Sequence, residues 1–506
     1  MNLQGSREQS AEPLSPPMVQ STAKVTYESQ WMGFVRHLIE GEVSFRTRLG
    51  EPCLKTYPLE CEGLLRRARV TFQAGCTLKE SFRVAQLEAV NEALYAINNL
   101  KKWMQPQHVE RNLSTTLDEC LMVSEPLGVV FIMGTWCSPV ETCLVPLVGA
   151  IAAGNCAIIS PSECTAHTAE LLHRLIPFYL DNECFHVILA GTSDFPEVVE
   201  LKFDHVFFTG NRSEGTRIAQ AAARTLTPVT LILGGKNPCY VDQDCDIATT
   251  AQRIAWARFH NAGQSLVAPF YILCHTTVTA RLVQALKCCI TQFYGCDPRE
   301  SRSYGRMVNL DIFNRTKDML WRSGKVAVGG QVIEAEKYIA PTILTEVTES
   351  DPIMQQDLFG PVLPVLTVNN VDEAIAFINK QEKPLCVYAY SSNSKYSDHV
   401  LDFLTMQVIT RLMSETSSGS FCSNDSILQS LMVALPFGGV GASGMGSYHG
   451  RYSFDTFSHR KSCLLRSTRF ECVTYLRYPP YEDRNLSLMT WASTLSQKSQ
   501  GWCHIL

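Results

Sequence analysis

The sequence predicts an α/β protein organised around a parallel, doubly wound sheet. From Gly128 onward, short apolar runs alternate with amphipathic helical segments, which is the pattern of strands joined by crossover helices. A second alternating series follows Leu233. The 506 residues, of which 45% are apolar and 18% charged, suffice for two or three domains with sizeable cores.

The first series begins with the apolar run GVVFIMG, and Gly154 with Asn155 marks the end of its first helix. Its expected strands span residues 128–134, 156–160, 185–190 and 205–209, and its expected helices span 140–153, 166–180 and 213–226. In the second series, strands are expected at 238–242, 271–275 and 385–391, and helices at 247–260, 278–294 and 371–381. Residues 53–104 are mostly helical in pattern. Parallel sheets of this kind bind ligands beyond the carboxyl ends of their strands.

Composition and charge exclude several classes of function. The net charge of −5 implies no general attraction to nucleic acid or acidic membranes. None of the 20 cysteines forms a C-x-x-C pair, so the usual zinc and thioredoxin-like sites are not predicted, and the N-terminus lacks the apolar core of a secretory signal. We therefore expect reduced cytosolic thiols, most of them buried. Gly134, Pro139 and Glu141 interrupt the weakly charged stretch 127–159, which argues against a transmembrane helix.

Five short segments are candidates for ligand contact. In HVFFTGNRSEG (205–215), Thr209 and Gly210 end a strand just before a helix, where glycine lets a phosphate approach and the helix N-terminus favours an anion. The same segment suits a strand–turn–helix junction that needs small residues, so alone it leaves both interpretations open. The other four segments, each only a loop by itself, are PVTLILGGKNPCYVD (228–242), NAGQSLVAP (261–269), QDLFGP (356–361) and LPFGGVGASGMG (435–446).

Taken together, in this order and at these separations, the segments resemble the aldehyde dehydrogenase superfamily in its class 3 branch. Further class 3 signatures are PSE (161–163), LTPVTL (226–231), SSGSFCSND (417–425) and SYHGRYSFDTFSHR (447–460). The resemblance is near-continuous from Trp103 onward, and the C-terminus and cysteine content look most like the B-type members. It implies a Rossmann-like cofactor domain, a second α/β catalytic domain, a small bridging segment, usually a homodimer, and NAD(P)-dependent oxidation of aldehydes to carboxylic acids.

On this resemblance the chain divides into five parts. Residues 1–51 form a disordered or atypical N-terminal extension, 52–231 a dinucleotide-binding domain, 232–425 a catalytic-type domain, 426–465 a bridging and oligomerisation segment, and 466–506 a tail. The chain departs from the family where 82–90 abuts 92–103, so that a helical hairpin is missing, and near 396–407, where a segment is added. Altered splicing, a wrong gene model or a decaying duplicate would each produce such differences.

The resemblance places apolar residues where the family's chemistry needs reactive ones. The family nucleophile, a Cys, ends an N-x-G-Q-x-C pattern whose last position here is Leu266, and the family base, a Glu, is second in L-E-L-G-G-K, where Ile232 stands. The oxyanion donor, the Asn of W-N-x-P, is Cys137. Ser265 is a weak nucleophile without an activating base, and Cys274 falls on the next expected strand. Because leucine cannot form a thioester, the resemblance predicts an inactive chain.

The same resemblance retains most of a cofactor cleft. Its candidate cofactor-binding residues are Thr209, Gly210, Gly215, Glu163, Ser160, Trp136, Asp357 and Phe359. Ser160 replaces a ribose-binding lysine, and Asp357 replaces the glutamate that holds the nicotinamide ribose. NAD or NADP is therefore expected to bind weakly. The alternative is structural, with Gly210 and Phe359 retained only because the fold packs around them.

The last four residues, Cys503 to Leu506, form a C-a-a-X ending with Leu last, which favours geranylgeranyl attachment at Cys503. The alternative is an accidental C-terminal cysteine. One prenyl chain binds membranes only marginally, and Cys472 is a candidate for a second, acyl chain. We therefore expect a peripheral protein on a cytosol-facing surface, either the plasma membrane or a lipid droplet.

Three functions remain open on the sequence alone. The first is a membrane-tethered pseudoenzyme that binds a dinucleotide or a partner, and Leu266 with Ile232 favours it. The second is an active membrane-associated aldehyde dehydrogenase whose substrates are medium- to long-chain lipid aldehydes. The third is a non-functional chain that folds poorly.

Overall fold

The computed structural model describes residues 58–73, 91–111, 115, 118–191, 194–392, 400–468 and 477–493. Several predictions fall outside these residues: the extension 1–51, the abutting segment 82–90, the start of the added segment near 396, and the lipidation candidates Cys472 and Cys503. The described helices are α1 (Pro58–Gln73), α2 (Asn91–Trp103), α3 (Glu141–Ala153), α4 (Ala166–Tyr179), α5 (Phe195–Val199), α6 (Arg212–Arg224), α7 (Ile247–Phe259), α8 (Thr279–Tyr294), α9 (Leu310–Trp321), α10 (Pro352–Gln355), α11 (Val371–Lys380), α12 (Val400–Glu415), α13 (Gly450–Thr456) and α14 (Asp483–Ser493). The described strands are β1 (Gln107–His108), β2 (Glu119–Pro126), β3 (Val129–Met133), β4 (Cys156–Ser160), β5 (Phe185–Val187), β6 (His205–Gly210), β7 (Val229–Leu233), β8 (Pro238–Val241), β9 (Tyr271–His275), β10 (Lys325–Val328), β11 (Val332–Ile333), β12 (Tyr338–Ile339), β13 (Thr342–Thr345), β14 (Val362–Val368), β15 (Cys386–Tyr390), β16 (Ser420–Ser423), β17 (Gly444–Met445) and β18 (Ser458–Leu465).

The first sheet has six strands in the order β17-β7-β6-β3-β4-β5. Strands β3 to β7 are parallel, and β17 adds to the β7 edge in the antiparallel sense. The strands β3, β4 and β5 are buried throughout, as expected for a parallel sheet covered on both faces. The order of strands reverses between β3 and β6, which creates the kind of crevice where doubly wound sheets bind ligands.

The second sheet has seven strands in the order β10-β13-β14-β9-β8-β15-β16. All neighbours are parallel except β10 and β13. Its strand order reverses between β8 and β15. Both sheets therefore confirm the doubly wound architecture predicted from the sequence. The observed ends of the predicted strands and helices differ from the predicted ends by three residues at most.

A third, antiparallel sheet joins distant parts of the chain. Strand β18 pairs with β2 along their full lengths, from Ser458 opposite Pro126 to Leu465 opposite Glu119. Nearby, α13 lies close against α3, because a Cβ added to Gly149 would be 2.5 Å from the Cβ of Ser453. These contacts fix the segment after β17 beside the helix that follows β3. Among the described residues, no helix combines the length and the apolar character that crossing a bilayer requires.

Candidate functional site

A cavity of about 560 Å³, here called the larger cavity, opens at the switch point of the first sheet. The residues after β3 and β6 form one side of it, and residues from α9 and from the segment before β14 form the other. Its lining residues are Gly134, Thr135, Trp136, Cys137, Ser162, Cys164, Phe208, Thr209, Gly210, Asn211, Arg212, Ser213, Glu214, Leu266, Ile312, Arg315, Gln356, Asp357 and Phe359.

Five of the eight candidate cofactor-binding residues lie in this lining, namely Trp136, Thr209, Gly210, Asp357 and Phe359. The rings of Trp136 and Phe359 meet edge to face with their centroids 5.7 Å apart, so the two walls of the cavity touch at this point. The Thr209 hydroxyl is buried and has no hydrogen-bond partner within the described part of the chain. The fold thus brings together segments that are more than 200 residues apart in sequence.

The other three candidates are not among the lining residues. Ser160 ends β4 with its side chain fully buried. Gly215 lies in α6 where an added Cβ would be 2.7 Å from a methyl group of Leu233, so this glycine lets the helix pack closely on β7. Glu163 begins a short 3₁₀ turn after β4, and its carboxylate would be 2.7 Å from a Cβ added to Gly191.

Charge in the larger cavity is concentrated at the N-terminus of α6. Asn211 caps this helix, its side-chain oxygen accepting from the Glu214 N–H at 2.9 Å. Arg212 and Arg315 contribute positive charge to the lining, and Glu214 and Asp357 contribute negative charge. Burial raises the pKa of Glu214. A helix N-terminus with two arginines at hand is suited to an anionic group.

Leu266 is placed by a strained loop that follows α7. Asn261 and Ala262 have φ angles of 49° and 53°, in the left-handed region. At Gly263 an added Cβ would be 2.3 Å from the Gly360 carbonyl oxygen, so no other residue fits there. The Asn261 amide donates to the Cys137 carbonyl oxygen at 3.2 Å, which ties this loop to the loop that follows β3. This loop therefore places Leu266 at the boundary between two cavities.

The second of these, here called the smaller cavity, has a volume of about 270 Å³. Its lining residues are Cys137, Ser138, Glu141, Thr142, Thr209, Ile232, Trp256, His260, Asn261, Gln264, Ser265, Leu266, Val267, Ile427, Ser430, Leu431, Phe437 and Tyr448. Three residues, Cys137, Thr209 and Leu266, line both cavities. Leu266, Ile232 and Cys137, which the sequence analysis grouped by resemblance, therefore share one cavity. Cys274 lies on β9, as predicted, and is buried outside the lining.

Two titratable groups of the smaller cavity, Cys137 and Glu141, are shifted toward their neutral forms. Burial raises the pKa of the Cys137 thiol to about 11, although hydrogen bonds to the Thr135 hydroxyl and to the Cys137 and Leu266 backbones oppose the shift. Partial burial also raises the pKa of Glu141; the charge of His449 opposes this shift, and the charge of Glu92 adds to it. A thiol and a carboxyl group with raised pKa values are poor candidates for a thiolate and a charged base at neutral pH.

Comparison with known proteins identifies the family of this site. The sequence profile of the aldehyde dehydrogenase family matches residues 67–463. The chain is 46% identical over 463 residues to aldehyde dehydrogenase family 3 member B1 of Rattus norvegicus, covering 85% of this chain and 96% of that protein. It is 45% identical over 466 residues to family 3 member B2 of Mus musculus, with coverages of 85% and 95%.

The chain belongs to the aldehyde dehydrogenase family. Within it, the similarity is to the B-type members of family 3, as the sequence analysis expected. The family reaction is the NAD(P)-dependent oxidation of aldehydes.

Solved structures agree with this assignment and confirm the fold class. The structure described as the substrate-bound state of Staphylococcus aureus AldH is 33% identical, with a TM-score of 0.74 over 94% of this chain and all of that chain. Betaine aldehyde dehydrogenase from Staphylococcus aureus in complex with NAD+ is 20% identical, with a TM-score of 0.68 over 82% of this chain and 90% of that chain. The second likeness supports the fold alone.

Sequence reasoning missed Arg258, which joins α7 to the segment after Leu266 and to the start of β14 in this aldehyde dehydrogenase fold. Its side chain is fully buried in α7 and donates to the carbonyl oxygens of Pro269 at 3.0 Å, Gly360 at 2.6 Å and Val362 at 2.7 Å. Burial lowers its pKa to about 9. The signal was available, since an arginine within the apolar run IAWARF is a polar residue at a core position.

Asn237 was also missed, and it fixes the segment after Leu266. Its amide nitrogen donates to the carbonyl oxygens of Leu266 at 2.8 Å and Ala268 at 3.1 Å, while its oxygen accepts from the Cys386 N–H at 2.9 Å. All three bonds come from one buried side chain on the segment between β7 and β8. The position of Leu266 is thus set by backbone contacts that do not depend on its own side chain.

Proposed function

We propose that this chain is a family 3 aldehyde dehydrogenase homologue that has lost aldehyde oxidation and binds a dinucleotide weakly. The observation that carries the proposal is the pairing of Leu266 and Ile232 at the positions that resemble the family's nucleophile and base. Both line the smaller cavity. An apolar pair there supplies neither the sulfur that forms a thioester nor the oxygen that accepts a proton.

The surroundings of Leu266 support this proposal. A Cβ added to Gly234 would lie 3.4 Å from a Leu266 methyl carbon and 3.1 Å from the Phe359 ring. The Leu266 side chain therefore fills space between the glycine after β7 and the aromatic wall of the larger cavity. An apolar side chain at this position contributes to packing and supplies no catalytic group.

Cys137 and Glu141 are the thiol and carboxyl group that remain in the smaller cavity, and neither replaces the missing pair in this proposal. With a pKa of about 11, roughly one Cys137 side chain in several thousand is a thiolate at pH 7.4. Glu141 lies on the same segment, and its negative charge raises the Cys137 pKa further. Among the described residues, no positively charged group contributes to the Cys137 pKa, whereas catalytic cysteines are activated by such a neighbour.

Dinucleotide binding is supported by the larger cavity. The Thr209–Gly210 turn, the capped N-terminus of α6 and the Trp136–Phe359 contact are all in place. Burial lowers the pKa of Lys236, and the negative charges of Asp357 and Glu382 oppose this shift only in part. Because Ser160 is buried and carries no charge, we expect binding weaker than in relatives that have lysine there.

An activity assay tests the proposal. The purified full chain is incubated with hexanal and NAD or NADP, beside family 3 member B1 of Rattus norvegicus as a reference. We expect no cofactor reduction above the rate without protein. Turnover within tenfold of the reference would overturn the proposed loss of oxidation and would favour the active, membrane-associated alternative.

We further propose that Cys503 carries a prenyl group that places the chain on a cytosol-facing membrane or lipid droplet, and that the chain forms a homodimer. Each buried lipid methylene contributes about 0.8 kcal/mol, so one prenyl chain suffices for reversible attachment. Fractionation of cells expressing the full chain and its Cys503→Ser variant tests this. Equal membrane fractions would mean that the C-terminal motif is accidental.

A further inference from the structure

One ion pair beside the larger cavity connects the elements of the two sheets. Arg212 is the first residue of α6, which follows β6 of the first sheet, and Glu382 lies between α11 and β15 of the second sheet. The Arg212 guanidinium donates to the Glu382 carboxylate at 3.1 Å. Arg212 lines the larger cavity, whereas Glu382 does not. One partner of this pair is therefore in contact with the space in which a dinucleotide is proposed to bind.

The Arg212–Glu382 pair is loosely held, because both side chains reach water. Their side chains are 55% and 70% exposed, and exposed ion pairs of this kind contribute little to stability. The hydrogen bond to Glu382 uses one guanidinium nitrogen, Nη1, out of a group that carries five N–H donors. A phosphate offers more charge and more acceptor oxygens than a carboxylate, so it can take the place of Glu382.

Two further features of the larger cavity point to an anion as the ligand of Arg212. The Thr209 residue is 1% exposed, and its hydroxyl has no hydrogen-bond partner among the described residues, so its O–H is available to a ligand oxygen. Thr209 lines the same cavity as Arg212. The N-terminus of α6, a helix of 13 residues, favours negative charge at this place. A buried hydroxyl, a helix N-terminus and a guanidinium together suit a phosphate group.

Glu382 has a second cationic neighbour, Lys236. The negative charge of Glu382, like that of Asp357, opposes the lowering of the Lys236 pKa by burial. Glu382 therefore keeps a positive neighbour when Arg212 turns to another acceptor. A phosphate bound by Arg212 would be repelled by the nearby Glu382 carboxylate. Glu382 thus opposes phosphate binding in two ways, because it both occupies Arg212 and adds a like charge.

We propose that Arg212 binds a phosphate group of the dinucleotide and that Glu382 competes with this phosphate for Arg212. On binding, the Arg212 guanidinium exchanges the Glu382 carboxylate for phosphate oxygens, and only hydrogen bonds are broken and formed. Arg212 raises the affinity for the ligand, and Glu382 lowers it. The inference rests on the proposed function for the identity of the ligand. The phosphate is either in the pyrophosphate that NAD and NADP share or in the additional phosphate of NADP.

Calorimetry with the full chain at pH 7.4 and low ionic strength tests the competition with NAD and NADP. We expect Arg212→Gln to weaken binding about tenfold, because it removes a charged donor, and Glu382→Gln to strengthen binding about threefold. Equal weakening of NAD and NADP in Arg212→Gln assigns the guanidinium to the pyrophosphate, and weakening of NADP alone assigns it to the additional phosphate. Unchanged affinity for both ligands in Arg212→Gln, or weaker binding in Glu382→Gln, would overturn the proposal.

A second ion pair on the same helix provides the matched control. Arg224, near the other end of α6, lies 2.5 Å from Glu200, and their side chains are 71% and 43% exposed. Neither residue lines the larger cavity. Arg224→Gln and Glu200→Gln should leave the affinity for both dinucleotides unchanged. A tenfold loss in Arg224→Gln would mean that the overall charge of the chain, and not a contact of Arg212, sets the affinity, which would overturn the proposal.

Inorganic pyrophosphate separates failure of this inference from failure of the proposed function. Dinucleotide binding that is the same in Arg212→Gln and in the unmodified chain overturns the inference and leaves the proposed function standing. If neither dinucleotide binds to the unmodified chain, the proposed dinucleotide binding fails, and the affinity for pyrophosphate decides the inference. Pyrophosphate binding that Arg212→Gln weakens and Glu382→Gln strengthens supports the phosphate site. No heat with pyrophosphate, or equal heat in all three proteins, overturns it.

Discussion

The larger and smaller cavities share Cys137, Thr209 and Leu266. They differ in whether their expected function depends on the main chain or on side-chain functional groups. The larger cavity depends on main-chain features, such as the Thr209–Gly210 turn and the N-terminus of α6. The family's chemistry in the smaller cavity depends on side-chain sulfur and oxygen atoms at two positions. Under the proposed assignment of the family's nucleophile and base to positions 266 and 232, the reaction is lost while the binding cleft stays in place.

Restoring the reactive side chains is the largest test of this contrast. We expect the triple change Leu266→Cys, Ile232→Glu and Cys137→Asn to raise aldehyde oxidation at least about 10³-fold above the unmodified chain, as measured by NADH formation. Leu266→Cys alone should remain about 10²-fold below the triple variant, because the loss of one oxyanion donor alone costs roughly 10²–10³ in rate. Because Ile232 is fully buried and the triple variant places a glutamate there, thermal denaturation is used to check that this variant folds. Full activity from the single change would show that base and donor are not limiting.

Arg258 provides the second test, because its hydrogen bonds join the segment after Leu266 to the segment after Phe359. Arg258→Met leaves three carbonyl oxygens without donors, at about 1 kcal/mol each, so the free energy of unfolding should fall by about 3 kcal/mol. The matched control is Arg253→Met in the same helix, whose side chain is 44% exposed and should change stability by less than about 1 kcal/mol. Denaturant unfolding measures both. An equal loss of unfolding free energy in Arg258→Met and Arg253→Met would contradict a stabilising role for the Arg258 hydrogen bonds.

The fold was predictable because its signals are local. Apolar runs such as GVVFIMG identify buried strands, and Gly154, with φ of 92°, ends α3 where the sequence indicated. The strand order is not local, so the switch point between β3 and β6 became visible only in the sheet topology. The predicted domain boundaries and the lipid attachment at Cys503 stay predictions.

The candidate site was predictable only in part. Trp136, Thr209, Gly210, Asp357 and Phe359 line one cavity, as grouped from motifs. Ser160 and Gly215 do not line it, because a motif position does not reveal whether a side chain points into a cleft or into the core. Glu141 drew attention only as an interruption of an apolar stretch, since nothing in the sequence brings it next to residues near 232, 266 and 448.

Thiol reactivity gives a third test, which compares the two cavities directly. The Cys137 pKa of about 11 means that its alkylation by iodoacetamide should rise about tenfold per pH unit from pH 7 toward pH 11. At pH 7.4 we expect it to react at least about tenfold more slowly than Cys296, because the Cys137 thiol is buried and the Cys296 thiol is exposed. Peptide mapping by mass spectrometry follows each site, with the exposed Cys164 of the larger cavity as an intermediate case. A Cys137 rate that levels off near pH 8 would contradict the burial argument.

The smallest expected effect separates dinucleotide binding from mere packing in the larger cavity. Ser213 is exposed at the start of α6 and lines this cavity, so Ser213→Trp obstructs the cleft without disturbing the core. We expect the affinity for NAD to fall about tenfold, because one large side chain displaces part of the ligand from the helix N-terminus. Gln220→Trp, exposed on the same helix but outside the lining, should leave the affinity unchanged.

Calorimetry with millimolar NAD measures both variants. If the unmodified chain gives no heat with NAD, the retained residues of the larger cavity serve the fold alone, because a turn and a helix N-terminus that bind nothing are explained by packing.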